Sequence, residues 1–205
     1  EIMNKYQSVQ TVNAKKQFVY PGFIDGHCHF MGYGLSLQKV NLVGTISWKE
    51  CVERTMLFAE ENPNGWITGR GWDQNDWEDK SFPTRQKLDS LFPNKPVVLT
   101  RIDGHALLVN GEVLRTSAIN SQTKIEGGTI LKYNSENNTS LTGVLIDKAM
   151  DLVDYKTLSK TTNAQNAETL INAQNELFSV GLTTMDEAGL DYETINLVDS
   201  LQQNK

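Results

Sequence analysis

This 205-residue chain contains three histidines, and two of them, His27 and His29, stand one residue apart. Residues two apart on a strand point to the same face. Both imidazoles can therefore project from one strand end into one space. Neutral imidazole nitrogens bind zinc and similar divalent ions at about 2.0–2.1 Å. His27 and His29 are thus candidate metal ligands that supply half of a site, the rest coming from elsewhere. A bare His-x-His is a weak signal, because paired histidines also occur as satisfied surface or core residues. Cys28 lies between them, and alternation turns it away toward packing. The third histidine ends the run Arg101-Ile102-Asp103-Gly104-His105. Arg101, Asp103 and His105 share alternation parity if the strand runs that far, and Gly104 is where it can break. A further cluster, Gly69-Arg70-Gly71-Trp72-Asp73-Gln74-Asn75-Asp76-Trp77, is rich in aromatic rings and carboxylates. It reads either as a surface loop with packed tryptophans or as a lid over a site.

The elements that must position these residues follow from periodicity. Phe23 and Ile24 close a short apolar strand over 22–26, bounded by Pro21 and Gly22. Ahead of it, Val9, Val12, Phe18, Val19 and Tyr20 flank a polar turn at 13–16, which predicts one or two short strands over 6–20. Ser47 and Glu50 form a capping-box pattern. Trp48, Cys51, Val52, Thr55, Met56 and Ala59 continue it at helical spacing, up to the breakers Asn62-Pro63-Asn64-Gly65. Residues 66–69 read as a strand, and Phe82-Pro83-Thr84 leads a short helix through Leu88 and Leu91. The β-branched run Val97-Val98-Leu99-Thr100 is a buried strand. A short helix follows over 110–118. Residues 120–141 read as a hairpin or mobile loop, and residues 142–147 turn into a helix near Lys148–Leu152, with Asp147 as a local carboxylate. Ala164, Ala167, Leu170, Ile171, Gln174, Leu177 and Phe178 trace one side of a helix that Gly181 can terminate. Leu182–Met185 is the next strand, with Asp186-Glu187-Ala188-Gly189 at its end. Asp191 can cap a last helix carrying Tyr192, Ile195, Val198 and Leu201. Strand alternating with amphipathic helix is a parallel-sheet signature.

Composition sets limits. Hydrophobic residues make up 39% and charged residues 21% of the chain, as in ordinary globular domains. The net charge is −6 and no basic stripe occurs, which argues against a nucleic-acid partner. No stretch reaches 18 apolar residues, so no membrane partner is expected. Two cysteines, Cys28 and Cys51, give no disulfide framework. The first residue is Glu1, so localisation stays open between cytoplasm and periplasm.

The run Pro21-Gly22-Phe23-Ile24-Asp25-Gly26-His27-Cys28-His29-Phe30 resembles the first-strand motif of the amidohydrolase superfamily. Extended through Gly32-Tyr33-Gly34, and joined by Gly69–Gln74 and Arg101-Ile102-Asp103-Gly104-His105-Ala106, it resembles the amidohydrolase-3, or YtcJ-like, branch across nearly the whole chain. That resemblance implies an α/β fold, an incomplete TIM-like (β/α)₈ metal-dependent hydrolase barrel. It implies the end of a small β-sandwich over 1–20. It also implies the N-terminal part of the barrel over 21–205, with an α+β insertion at about 40–160. A whole barrel needs eight strands and roughly 250 residues, and only 22–26 and 182–185 read as barrel strands. The resemblance further implies a hydrolase of amide or related non-peptide C–N bonds, using metal-activated water on a small-molecule substrate. His27 and His29 would hold a divalent metal, zinc being the expected ion. Trp72, Asp73 and His105 would bind substrate. Further ligands and the catalytic carboxylate are expected beyond Lys205. A metal-free barrel relative that only binds, or an inactive fragment, are the alternatives. Oligomeric state stays open, a homo-oligomer included. With most of a barrel absent, Leu170, Ile171, Leu177, Phe178, Ile195, Val198 and Leu201 are expected to form an exposed apolar patch, leaving the isolated chain marginal, aggregation-prone or partnered.

Overall fold

The structure, a computed structural model, describes Lys5 and residues 10–133, 140–154 and 161–203. In chain order the elements are β1 (Phe23–Cys28), α1 (Phe30–Leu37), β2 (Val40–Asn41), α2 (Trp48–Glu61), β3 (Ile67–Trp72), α3 (Gln86–Leu91), β4 (Val97–Arg101), β5 (Ala106–Val109), α4 (Gly111–Thr116), β6 (Gly128–Lys132), β7 (Leu141–Asp147), α5 (Asn163–Ser179), β8 (Leu182–Glu187) and α6 (Tyr192–Gln203). Short 3₁₀ turns occupy Gln74–Asp76 and Lys148–Leu152.

Two sheets result. The larger has six strands in the order β2-β3-β4-β5-β7-β6, with β2, β3 and β4 parallel and the remaining pairs antiparallel. Its central strands are apolar on both faces. Val97, Leu99, Ala106, Leu108 and Val144 face one buried cluster; Val98, Leu107, Val109 and Leu145 face the other. Continuous Val/Leu runs, not alternating ones, follow from burial on both sides. The helix predicted after Ser47 is α2, and the Ser47 hydroxyl accepts from Glu50 N–H while the Glu50 carboxylate accepts from Ile46 N–H. Gly71, at φ +115, sits at a register shift between β3 and β4, where a Cβ would lie 2.6 Å from Val43 N. Only glycine adopts that backbone and leaves room for the neighbouring chain.

The second sheet pairs β1 with β8 in parallel, Phe23 opposite Leu182 and Cys28 opposite Glu187. No closed barrel exists among the described residues. Helix α1 lies against α5 at Gly34, where a Cβ would come within 2.9 Å of the Thr169 carbonyl oxygen. The chain is an α/β protein.

Two expectations need correction. Residues 10–22 contain no strand, only a turn at Lys15-Lys16; residues 6–9 fall outside the described set. Val12, Phe18, Val19 and Tyr20 are 74–87% exposed, so nothing among the described residues gives a strand there its hydrogen-bonding neighbour or its apolar cover. Leu170 does not join the exposed patch, because it is buried on α5. Ile171, Phe178 and Ile195 are exposed, and Leu177, Val198 and Leu201 are partly buried. Of the hairpin or loop expected over 120–141, residues 134–139 lie outside the described residues.

Candidate metal centre

Strand β1 carries His27 and ends at Cys28; His29 then occupies the N-cap position of α1. The strand is irregular here. Four residues of β1, from Asp25 to Cys28, span the three from Met185 to Glu187 on β8. The Asp25 carboxylate accepts the His27 N–H at 3.0 Å and fixes this bulge. The two imidazoles come together edge to face, with ring centroids 5.6 Å apart and planes at 83°. Two imidazoles sharing one tetrahedral ion at about 2.0–2.1 Å would hold their centroids roughly 5 Å apart. The donor chemistry and spacing of this pair fit a divalent metal.

The neighbouring strand supplies a carboxylate whose place the sequence did not make obvious. Glu187 Oε2 accepts Phe30 N–H at 2.5 Å, at the first turn of α1, and Glu187 Oε1 accepts Gly189 N–H at 2.9 Å. The same Oε1 lies 3.6 Å from His29 Nδ1. Glu187 thus ties the end of β8 to the start of α1 and stands beside the His29 ring, just outside hydrogen-bond distance of Nδ1. Its signal was weak: an acidic residue at a strand end, with no spacing to link it to His29. Among the described residues no three His, Cys, Asp or Glu side chains form a set able to hold a metal by themselves. Cys28 does not join: burial, then the charges of Glu187 and Asp25, raise its thiol above its ordinary value, and it remains a free thiol.

The other candidates lie in the larger sheet. Trp72 is fully buried on β3 and donates its indole N–H to Leu99 O at 2.9 Å. It packs with Trp77 and Phe82, so in this structure it is core rather than lid. Asp73 is half-buried and accepts Asn75 N–H at 2.9 Å, capping the 3₁₀ turn. His105 is exposed. Its N–H goes to Asp103 Oδ1 at 2.9 Å, and its Nδ1 lies 3.0 Å from Asp147 Oδ1. Arg101 holds Asp103 through two hydrogen bonds, 3.0 and 2.7 Å, and lies over the Phe82 ring. The Arg101 hydrogen bond, ahead of the His105 N–H, holds the Asp103 carboxyl below its ordinary range. Asp147 sits at φ +51, ψ −126, a region that costs a non-glycine residue about 1–3 kcal/mol.

A sequence model of the Amidohydrolase family matches residues 10–201. Over 195 residues, 93% of this chain, the sequence is 32% identical to the putative amidohydrolase YtcJ of Bacillus subtilis, covering 36% of that protein. It is 33% identical over 181 residues to the protein LONG AFTER FAR-RED 3 of Arabidopsis thaliana, covering 87% of this chain and 30% of that one. The chain thus spans about a third of the length of the curated relatives it matches. Two solved structures share the fold. One is an uncharacterized metal-dependent hydrolase from Pyrococcus horikoshii, with TM-score 0.57, 22% identity and 90% of this chain aligned to 34% of that one. The other is its counterpart from Pyrococcus furiosus, with TM-score 0.56, 26% identity and 90% aligned to 35%. With the family match running from residue 10 to residue 201, the chain belongs to the amidohydrolase family.

Proposed function

We propose that this chain is the N-terminal part of a metal-dependent hydrolase acting on amide or related C–N bonds of small molecules. The observation that carries the proposal is the His27–His29 pair, its rings 5.6 Å apart at the end of a parallel strand pair with Glu187 beside it. In this reading β1 and β8 are the first two strands of a (β/α)₈ barrel, and residues of about 40–160 are an α+β insertion. His27 and His29 hold the ion, zinc by preference for nitrogen donors. Glu187 keeps the His29 ring oriented through Nδ1, leaving Nε2 as the ligating nitrogen. When bound, a divalent ion supplies Lewis acidity toward a substrate carbonyl and lowers the pKa of water. His105 contacts substrate from the loop after β4, with Asp73 nearby in sequence to the β3 end. The remaining ligands and the carboxylate that moves the proton belong to later strands.

Metal analysis of the full-length protein tests this. We expect near-stoichiometric divalent metal, lost on His27→Ala or His29→Ala while the fold persists by circular dichroism. Glu187→Gln should weaken metal affinity about 10–100-fold, as for other residues that orient ligands. A panel of simple N-formyl and N-acetyl amides serves as the activity probe. Full-length protein that carries no metal and leaves the histidine variants indistinguishable from wild type would mean a metal-free binding protein. Equally tight binding by residues 1–205 alone would mean that a complete site lies within them.

A further inference from the structure

His105 and Asp147 come from different strands. His105 precedes β5 and Asp147 ends β7, and the Asp147 N–H donates to His105 O at 3.0 Å. The adjoining residues, Ala106 and Ile146, are directly paired. The sheet therefore holds both backbones in fixed register, and the side chains meet at 3.0 Å. The imidazole is not sealed off: its side chain is 69% exposed, and that of Asp147 is 53% exposed. Charged groups border the pair: Asp103 is engaged by Arg101 and by the His105 N–H, Arg70 donates to Ile102 O at 3.0 Å beside Gly104, and Lys148, next to Asp147, packs its stem against Gly127.

The geometry points to Asp147 as the positioning residue of His105. A carboxylate oxygen can only accept, so the neutral ring carries its proton on Nδ1 and leaves the Nε2 lone pair free. Free imidazole side chains prefer the opposite arrangement. Nε2 is then an acceptor for an N–H or O–H of an incoming amide or related small molecule. This rests on the substrate-facing reading of His105 and adds how that ring is prepared. The backbone at Asp147 supports it independently. At φ +51, ψ −126 a glycine would be at ease, yet an aspartate stands there with its carboxylate on His105. A hydrogen bond from a neutral, exposed imidazole does no more than offset that backbone strain, so the contact adds little net stability.

Nitrogen-15 histidine labelling of the full-length protein at pH 9 tests the pair, with the His105 signals assigned by their loss in His105→Ala. Wild type should show His105 protonated on Nδ1. Asp147→Gly, which suits the backbone, should move the proton to Nε2 without lowering Tm, and Asp147→Asn, which keeps an acceptor oxygen, should retain Nδ1–H. On the best-cleaved amide of the panel, Asp147→Gly should raise KM about tenfold with kcat little changed, the fold-change of one neutral hydrogen bond. A wild-type ring protonated on Nε2, a tautomer indifferent to Asp147→Gly, or a lowered Tm in that variant overturns the proposal. A correct tautomer with KM unmoved by both His105→Ala and Asp147→Gly overturns instead the substrate-facing role of His105.

Discussion

At the scale of single residues, Asn110 shows how one side chain can hold several segments together. It is fully buried. Its Oδ1 accepts from Val97 N–H and Val113 N–H, both at 3.2 Å, and its Nδ2 donates to Phe92 O and Lys95 O, both at 2.9 Å. The start of α4, the start of β4 and the turn before β4 therefore meet on one amide. Asn110→Ala removes an N-cap, at about 0.5–2 kcal/mol, and strands buried backbone groups at about 1–3 kcal/mol each. A loss of about 3 kcal/mol or more in urea unfolding is expected; a loss below about 1 kcal/mol would show that water reaches those groups. Cys51 offers a chemical test of burial. Burial pushes its thiol up to about 11, against a partial offset from its hydrogen bond to Thr45. It should resist iodoacetamide at pH 8 in the native state and react once unfolded, as mass spectrometry would read. At this scale the sequence was informative where type and spacing coincide, as at His27 and His29. It was uninformative where partners are distant: nothing local links Glu187 to His29, or Asp147 to His105.

At the scale of elements, α1 is the case that periodicity missed. Its sequence, Phe30–Leu37, carries two glycines and no side-chain cap, so intrinsic propensity argues against a helix. Tertiary contact decides it. Glu187 takes the first-turn N–H of Phe30, and Gly34 admits α5 at a distance no larger residue allows. By contrast, α2 and the α5–α6 pair were legible because caps and apolar spacing lie within one segment. Thr162 and Gln165 complete a capping box at α5, and the Asp191 carboxylate accepts Thr194 N–H at 2.8 Å before α6. Gly34→Val should push α1 from α5, because the Thr169 carbonyl cannot move aside. Overpacking of this kind costs about 1–3 kcal/mol, and because His29 is the N-cap residue of α1, the full-length variant should also bind metal more weakly. A stable variant with unchanged metal affinity would show that α1 placement does not set the histidine geometry. The 101–105 loop gives a pH test. The Asp103 carboxyl is lower in the folded chain than its ordinary 3.8, so its contribution is present above about that pH and is lost as pH falls through the depressed folded value. Asp103→Asn should therefore flatten the fall in urea midpoint between pH 5 and pH 2 relative to wild type.

At the scale of the whole molecule, burial is uneven, and the unevenness follows the two sheets. The six-stranded sheet hides nearly every apolar side chain of β4, β5 and β7. The β1–β8 pair does not: Phe23 and Ile24 on β1 are 64% and 70% exposed, and Phe178 and Ile195 on the flanking helices are 51% and 50% exposed. An open groove of about 500 Å³ between α5, α6 and β8 is lined by Leu170, Ile171, Phe178, Met185 and Leu201. Parallel strands are normally covered on both faces, so this layer is short of partners among the described residues. The sequence foretold the apolar faces of α5 and α6 but not which residues stay covered, since that depends on α1 lying against α5. Each large side chain left in water forgoes about 1.5–3 kcal/mol, and a few such losses match a typical domain margin of about 5–15 kcal/mol. Residues 1–205 prepared alone should therefore behave in two parts. Hydrogen exchange should be slow across β4, β5 and β7 and fast across β1, β8 and α6. The protein should bind an apolar-surface dye and self-associate with rising concentration, and Phe178→Lys with Ile195→Lys should reduce both without slowing or speeding exchange in the large sheet. Uniform protection across both sheets, with one sharp melt and no dye binding, would show instead that the β1–β8 layer is stable without further cover.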